Sequence, residues 1–280
     1  MSAATELRRL LSSGETLLMP DAYDPLSARI IEKLGFRAVQ CSGFSIAAAA
    51  CWAVEGTFGR ERNLAATAAI VQAVKLPVMA DGEDGFGDAS SIGDTIRAYV
   101  AAGVAGINIE DQVLGEPGPK RLIEEGLAVA KLRAARRAAA DAGVPDLILN
   151  GRTDALAAGE TPEQGLAEAV RRGNAYLQAG ADLAFVVGVS DLAQVELLVQ
   201  EIDGPISIAA GMPNTMGAFS VAQLRDAGVA RVSLPSLMIF SAIRVMMRSL
   251  KSVADTDGFA EIMDQDMVCD MGEAMTLLAP

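Results

Sequence analysis

Carboxylates gather at two places in this 280-residue chain, Asp81-Gly82-Glu83-Asp84 and Glu110-Asp111, and an arginine follows in Arg152-Thr153-Asp154. Acids brought close repel one another, and their desolvation is costly unless a cation stands between them. A hard divalent ion, Mg²⁺ with Mn²⁺ as the alternative, is the natural neutraliser, because it binds through a few carboxylates and keeps several waters. Arg152 offers a planar fork that matches a carboxylate or a phosphonate. Metal plus guanidinium describes a pocket for a small dianionic acid. One acid alone would more often cap a helix or pair with an arginine, but the set together favours a site.

The chain contains no histidine. That excludes Ser-His-Asp and Cys-His nucleophilic machinery and leaves any metal to oxygen ligands. Acid–base work falls to Asp, Glu, Lys, Tyr, Cys or Ser. The formal net charge of −13 argues against a nucleic-acid partner, which needs a surplus of Lys and Arg. It leaves small anions open, since they need only a local cationic pocket. Cys41, Cys51 and Cys269 are widely spaced and suggest no disulfide framework. The N-terminal segment lacks the apolar core of a signal peptide. The stretch SLMIFSAIRVMM is short and carries Arg244, so no membrane span is expected. A cytoplasmic location is the expectation.

The elements that must position these residues repeat. Gly35, Gly103, Gly143, Gly180 and Gly228 each end an Ala-rich amphipathic segment and precede a short apolar run. Glycine just past the last helical residue enters the left-handed region without a Cβ clash. With TLLMP, LPVMADG and PISIAA, eight candidate strands alternate with helices near 25–34, 61–74, 90–102, 122–142, 161–179, 191–201, 218–227 and 236–252. The strands show little polar alternation, as parallel strands buried on both faces should. Eight such units predict a (β/α)8 barrel in one domain over 1–280, against a doubly wound sheet as the alternative. Residues 256–280 read as one extra helix carrying Met263, Met267, Met271 and Met275, a core or oligomer contact.

A barrel's active site lies at the carboxyl ends of its strands. Those ends hold Cys41-Ser42-Gly43, the acids of 81–84, Glu110-Asp111 and Arg152, with Ser207 near the end of strand 7. Gly82, Gly85 and Gly87 make a turn that lets the backbone approach a metal site; a phosphate loop is the weaker reading. Val113 to Arg121, with Lys120-Arg121, suits a lid over an anionic substrate as well as it suits an ordinary exposed loop.

On these residues the chain resembles the isocitrate lyase/phosphoenolpyruvate mutase superfamily. The matching pieces are DAYDPLSARIIEKLGF (21–36), CSG (41–43), LPVMADGEDGFG (76–87), AGVAGINIEDQ (102–112), PKR (119–121), GRTDAL (151–156) and AYLQAGAD (175–182). The resemblance implies a (β/α)8 barrel with a swapped last helix, a homotetramer built as a dimer of dimers, and Mg²⁺ chemistry on 2-oxo or 2-hydroxy acids. It implies that Ser42 and Gly43 bind the substrate's oxo-acid end. Asp81, Glu83 and Glu110 would form the metal's acid set. Arg152 would bind substrate, and Lys120 would sit on a gating loop. Glu83 stands where the family usually has Asp.

Other positions depart from the family. The lyase loop Lys-Lys/Arg-Cys-Gly-His is replaced by Lys120-Arg121-Leu122-Ile123-Glu124. Glu55 is a stand-in for the Asp that follows strand 2 in the phosphonate enzymes. Gln40 occupies a position often aromatic, and Ser207 and Ala209 lie where Asn is common. The expected function is Mg²⁺-dependent cleavage of a C–C bond in a small 2-oxo or 2-hydroxy dicarboxylate, oxaloacetate- or alkylmalate-like, through a metal-stabilised enolate. The alternatives are a C–P mutase or hydrolase and a catalytically silent barrel that binds a keto acid. Glu55, Lys120 and Tyr23 are the candidate proton carriers, with Tyr23, Ser42, Gly43, Arg152 and Ser207 facing the substrate.

Overall fold

The computed structural model describes residues 1–53, 56–116 and 118–278. Eight parallel strands close into a barrel in sequence order. They are β1 (Leu17–Ala22), β2 (Val39–Cys41), β3 (Val78–Asp81), β4 (Gly106–Glu110), β5 (Ile148–Thr153), β6 (Leu183–Val186), β7 (Ile206–Ala209) and β8 (Arg231–Leu234). The helices are α1 (Ala3–Leu11), α2 (Pro25–Lys33), α3 (Gly43–Ala49), α4 (Arg60–Ala73), α5 (Ile92–Ala101), α6 (Glu125–Asp141), α7 (Ala155–Ala158), α8 (Pro162–Gln178), α9 (Leu192–Glu201), α10 (Val221–Asp226), α11 (Leu237–Thr256), α12 (Ala260–Asp264) and α13 (Met271–Leu278). All eight expected strands are present, and the architecture is the (β/α)8 barrel.

Local chemistry explains the starts. Asp24 accepts from the Ser27 N–H at 2.7 Å while the Ser27 hydroxyl meets the Asp24 N–H, and Pro25 occupies the first turn of α2, where its missing donor does no harm. Thr161 caps α8 by accepting from the Gln164 N–H at 3.3 Å, with Pro162 in its first turn. Two parts of the fold depart from the sequence reading. The amphipathic α1, not anticipated there, is capped by Ser2 and buries Ala4, Leu7 and Leu10. Leu7 and Leu10 join Leu17, Met19, Met79 and Ile148 in one apolar cluster that fills the amino-terminal end of the barrel. The tail is not one helix: α12 and α13 are separate and short, and Met263 and Met271 are each 77% exposed, so neither methionine is core.

The last long helix is unusual. α11 runs for 20 residues but buries only Ile239 and Ser252. Phe240, Ile243, Met247 and Leu250 are exposed on it. Their spacing of three and four puts them on one face. Among the described residues no helix is long and apolar enough to cross a membrane.

Candidate active site

The strand carboxyl ends surround a cavity of about 570 Å³ lined by Ser42, Gly43, Asp81, Glu83, Glu110, Lys120 and Arg152, among others. Parallel register sets the spacing of the charged groups. Asp81 on β3 stands beside Asn108 on β4, and Glu110 beside Arg152 on β5.

Asp81 ends its strand with one carboxylate oxygen, Oδ2, accepting from the Gly43 N–H at 2.9 Å. Its Oδ1 accepts from the Glu83 N–H at 3.3 Å. Glu83 lies in the left-handed region with φ 47°, a conformation that a non-glycine side chain adopts only when its surroundings hold it there. Its carbonyl accepts the Glu110 N–H at 2.8 Å, and Asn63 donates to its Oε1 at 3.4 Å. Gly82 makes the turn possible by close approach, since a Cβ there would stand 2.6 Å from the Asn108 carbonyl oxygen. The glycine-rich turn is therefore packed against β4.

A side chain at position 43 would test the space between these acids. A Cβ on Gly43 would lie 3.1 Å from Asp81 Oδ2 and 3.2 Å from Glu83 Oε1. Two carboxylate oxygens thus converge on one small gap in a buried wall. That donor set fits a hard cation that takes one or two carboxylates and completes its shell with water. Glu110 is not gathered with them: its Oε2 meets Arg152 Nη1 at 2.5 Å. Among the described residues no three acidic or cysteine side chains form a ready-made cation cage. Of the acid set expected from sequence, Asp81 and Glu83 converge on this gap, and Glu110 pairs with the arginine on the next strand.

Arg152 is clamped from two sides. Its Nε and Nη2 donate to Asp154 at 2.8 and 3.2 Å, opposite the Glu110 contact. Burial opposes its charge, yet Asp154, Glu110 and Asp81 outweigh burial and hold its pKa well above the ordinary arginine value. Burial works against Asp154 as well, but Arg152 and Lys120 overcome it and hold the carboxyl below its usual range. Lys120 Nζ meets Asp154 Oδ1 at 2.6 Å and also donates to Gln112. The loop that carries Lys120 is tied at its base by the Val113 N–H to Arg121 carbonyl bond (2.8 Å) and by pairing of Gln112 with Leu122. This pairing is why α6 starts at Glu125 and not at 122. Behind Asp154, Asp111 accepts from the Asp154 N–H (3.1 Å), Arg172 (3.1 Å) and the Tyr176 hydroxyl (2.6 Å).

Several sequence expectations change. Ser42 and Gly43 do line the cavity, but the Ser42 hydroxyl caps α3 by accepting from the Ser45 N–H at 3.2 Å. Tyr23 is half-buried against the cluster that holds Ala22, Ala28 and Ile31 and is not among the cavity-lining side chains; it lies one residue past β1, where the strand's alternation no longer sets its direction. Ser207 is also outside the lining. It lies two residues below the lining Ala209, wholly buried, and accepts from Arg231 Nη1 at 2.7 Å. Glu55 lies outside the described residues.

The sequence reading overlooked four groups. Asp154 was seen only as part of a motif, although it orients both cavity cations. Asn108, which accepts from Asn150 at 2.7 Å, lines the floor. Asp21 on β1 lines the cavity as well. Arg231 on β8 is fully buried inside the barrel, bonded to Gln40 and Ser207, with its guanidinium carbon 5.5 Å from the Phe185 ring centre. A polar residue inside each of four short strands was the available signal: Asp21, Gln40, Ser207 and Arg231 all interrupt apolar runs.

Three comparisons bear on this geometry. The family model for phosphoenolpyruvate phosphomutase matches residues 7–254. The 2,3-dimethylmalate lyase of Eubacterium barkeri is 30% identical over 270 residues, covering 94% of this chain and 90% of the lyase. The crystal structure of phosphoenolpyruvate phosphomutase from Streptomyces platensis subsp. rosaceus superposes with a TM-score of 0.87 at 27% identity, covering 98% of this chain and 94% of that one. A phosphonopyruvate hydrolase in complex with oxalate and Mg²⁺ superposes equally well, TM-score 0.87 at 26% identity, with 99% and 95% covered. With this match along nearly its whole length, and the acids and arginine at the mouth of the same barrel, the chain belongs to the isocitrate lyase/phosphoenolpyruvate mutase superfamily.

Proposed function

We propose that the protein is a Mg²⁺-dependent lyase that cleaves a C–C bond in a small 2-hydroxy or 2-oxo dicarboxylate. The observation that carries this reading is the clamped Arg152 in the same cavity as the converging Asp81 and Glu83 oxygens. Arg152, oriented by Glu110 and Asp154, would bind a substrate carboxylate through its fork. Asp81 and Glu83 would hold the cation. When bound, the ion supplies a Lewis acid that draws developing negative charge toward that wall. Lys120 adds positive charge at the cavity wall, and its bond to Asp154 holds that side chain there, where it limits water. The similarity to a dimethylmalate lyase supports a substrate of alkylmalate type.

A second reading, C–P bond chemistry, is favoured by the phosphomutase and phosphonopyruvate hydrolase similarities. One assay separates the two. The protein with Mg²⁺ is incubated with alkylmalates and oxaloacetate and followed by ¹H NMR, and with phosphonopyruvate followed by ³¹P NMR. Cleavage of a dicarboxylate is the expected result. Phosphorus products without C–C cleavage would replace the lyase with the C–P reading. Calorimetric binding without any turnover would select a silent keto-acid-binding barrel.

The exposed apolar face of α11 supports a proposed role for the 236–280 region in contacts between copies of the chain, in a tetramer made of two dimers. Light scattering of the wild type against Ile243→Glu would test it, with the variant expected to be smaller.

A further inference from the structure

Asp21 is the cavity-lining acid that none of the preceding roles uses. It stands on β1, four strands from Arg152 on β5 in either direction around the closed barrel. Its Oδ1 is fixed by the Leu234 N–H at 2.9 Å, and among the described residues that is its hydrogen bond. The other titratable groups on the cavity wall are engaged: Glu110 with Arg152, Lys120 with Asp154, and Asp81 and Glu83 with each other's neighbourhood. On the β7–β1 side the lining is otherwise neutral, Ala209, Asn214, Ser233 and Ser236 among it.

We infer that Asp21 is the catalytic acid of this site, the group that delivers a proton to the carbon atom of the enolate formed when the substrate bond breaks. The inference rests on the lyase reading above. A substrate anchored by its carboxylate at Arg152 extends across the mouth, so its departing carbon faces β8 and β1. There the electron pair of the enolate double bond takes the proton of Asp21 and forms a C–H bond. The O–H pair stays on Asp21 as a carboxylate, and the proton lost from the substrate's 2-hydroxyl as it becomes a carbonyl returns through water to restore the acid for the next turnover. The Leu234 N–H and the nearby positive charge of Arg231 stabilise the carboxylate form. Burial raises the Asp21 carboxyl to about 7, against the pull of Arg231 on β8 and of the Leu234 N–H, and Asp81 on β3 adds to the rise. Cys41 on β2 packs on the helix side of the barrel in one cluster with Ala22, Ile46 and Ile70, its thiol pushed far up by burial. An acid poised near neutrality transfers protons efficiently at ordinary pH.

The test is Asp21→Asn, which keeps the shape and an acceptor for the Leu234 N–H, beside Asp21→Glu. Cleavage of an alkylmalate with Mg²⁺ reports kcat and KM, and incubation of pyruvate with the monocarboxylate product in D₂O reports exchange of that product's α-protons by ¹H NMR. Expected for Asp21→Asn are exchange and kcat lower by about 100-fold or more, KM changed by less than about threefold, and loss of the pH-profile limb near neutrality. Asp21→Glu should regain part of the rate. Exchange and a pH profile like the wild type's in Asp21→Asn would overturn the inference while leaving the lyase reading intact, as would a raised KM with unchanged kcat. A wild type that neither exchanges nor cleaves would instead fail the lyase reading. Carboxyl ¹³C titration of metal-free protein then decides Asp21. The aspartate signal that either substitution removes should titrate near neutrality, and titration in the ordinary carboxylate range overturns the assignment.

Discussion

The β3–β5 wall and the β7–β2 wall of one barrel mouth handle buried charge in opposite ways. On the first, Asp81, Glu83, Glu110, Arg152, Asp154 and Lys120 all reach toward the cavity or its rim, and opposite charges meet directly at 2.5 to 2.8 Å. On the second, Arg231 bonds Gln40 and Ser207 inside the barrel, and of the charged side chains described on that wall Asp21 is the one that lines the cavity. The first wall keeps its charges at the mouth, where the proposed ligand and cation would enter. The second is satisfied without either. Its buried arginine is held by neutral oxygens, a ring face and the distant attraction of Asp21, and burial lowers its pKa to about 10. A barrel can thus place a charge beneath a site without exposing it to substrate.

The largest expected effect tests the second wall. Arg231→Met removes the shared partner of Gln40 and Ser207, and breaking such a buried polar cluster typically costs about 3 kcal/mol or more. For a chain of this size that lowers Tm by roughly 6–12 °C in a thermal melt. An unchanged Tm would show that the buried network adds nothing and would dissolve the contrast between the walls.

Next comes the first wall. Asp81→Ala and Arg152→Ala should each reduce kcat/KM by about 10²-fold or more, because each removes charge stabilisation from the reacting centre. Steady-state kinetics on variants whose circular dichroism matches the wild type would check this. Retained turnover in both would end the metal-plus-arginine reading.

A smaller effect concerns pH. Asp21 has a folded pKa near 7, above the ordinary carboxylate value of 3.8. The folded state therefore favours the neutral acid. That stability is fully present below the ordinary value and is lost as pH rises through about 7. Asp21→Asn should melt close to the wild type near pH 4. It should gain on the wild type as pH rises and level off above neutrality. A difference independent of pH would contradict the raised carboxyl.

The smallest effect is at the rim. Lys120→Ala should raise KM by about three- to tenfold, as expected for one charge-assisted contact, while Tm stays within about 2 °C. A large fall in Tm would mean that the Lys120–Asp154 pair supports the fold and is not confined to closing the cavity.

Much of the molecule was legible in the residues. Glycine stops after Ala-rich helices and unalternating apolar strands are local consequences of backbone sterics and two-sided burial, so the eight-strand barrel could be read directly. The acids of strands 3 and 4 and Arg152 were legible too, because the ends of barrel strands are where function gathers. Two things misled the reading. A strand places alternate residues on opposite faces, so Tyr23, one residue past a strand end, and Ser207, two below one, could not be assigned to cavity or interior without the register. Helix ends also depend on partners far along the chain, as with α6, whose start is set by the pairing of Gln112 with Leu122.

By itself the sequence determined the repeat, the chemistry without histidine and the acids gathered at the ends of strands 3 and 4. Only the tertiary structure decided which acids converge. Asp81 and Glu83 face one gap, Glu110 is taken by Arg152, and Asp21 is drawn into the cavity from the far side of the ring. The reason is closure. Residues separated by as many as 213 positions, as Leu234 and Asp21 are, become hydrogen-bonded neighbours when β8 pairs with β1. No local pattern carries the distance between such groups, and that distance decides which charges pair.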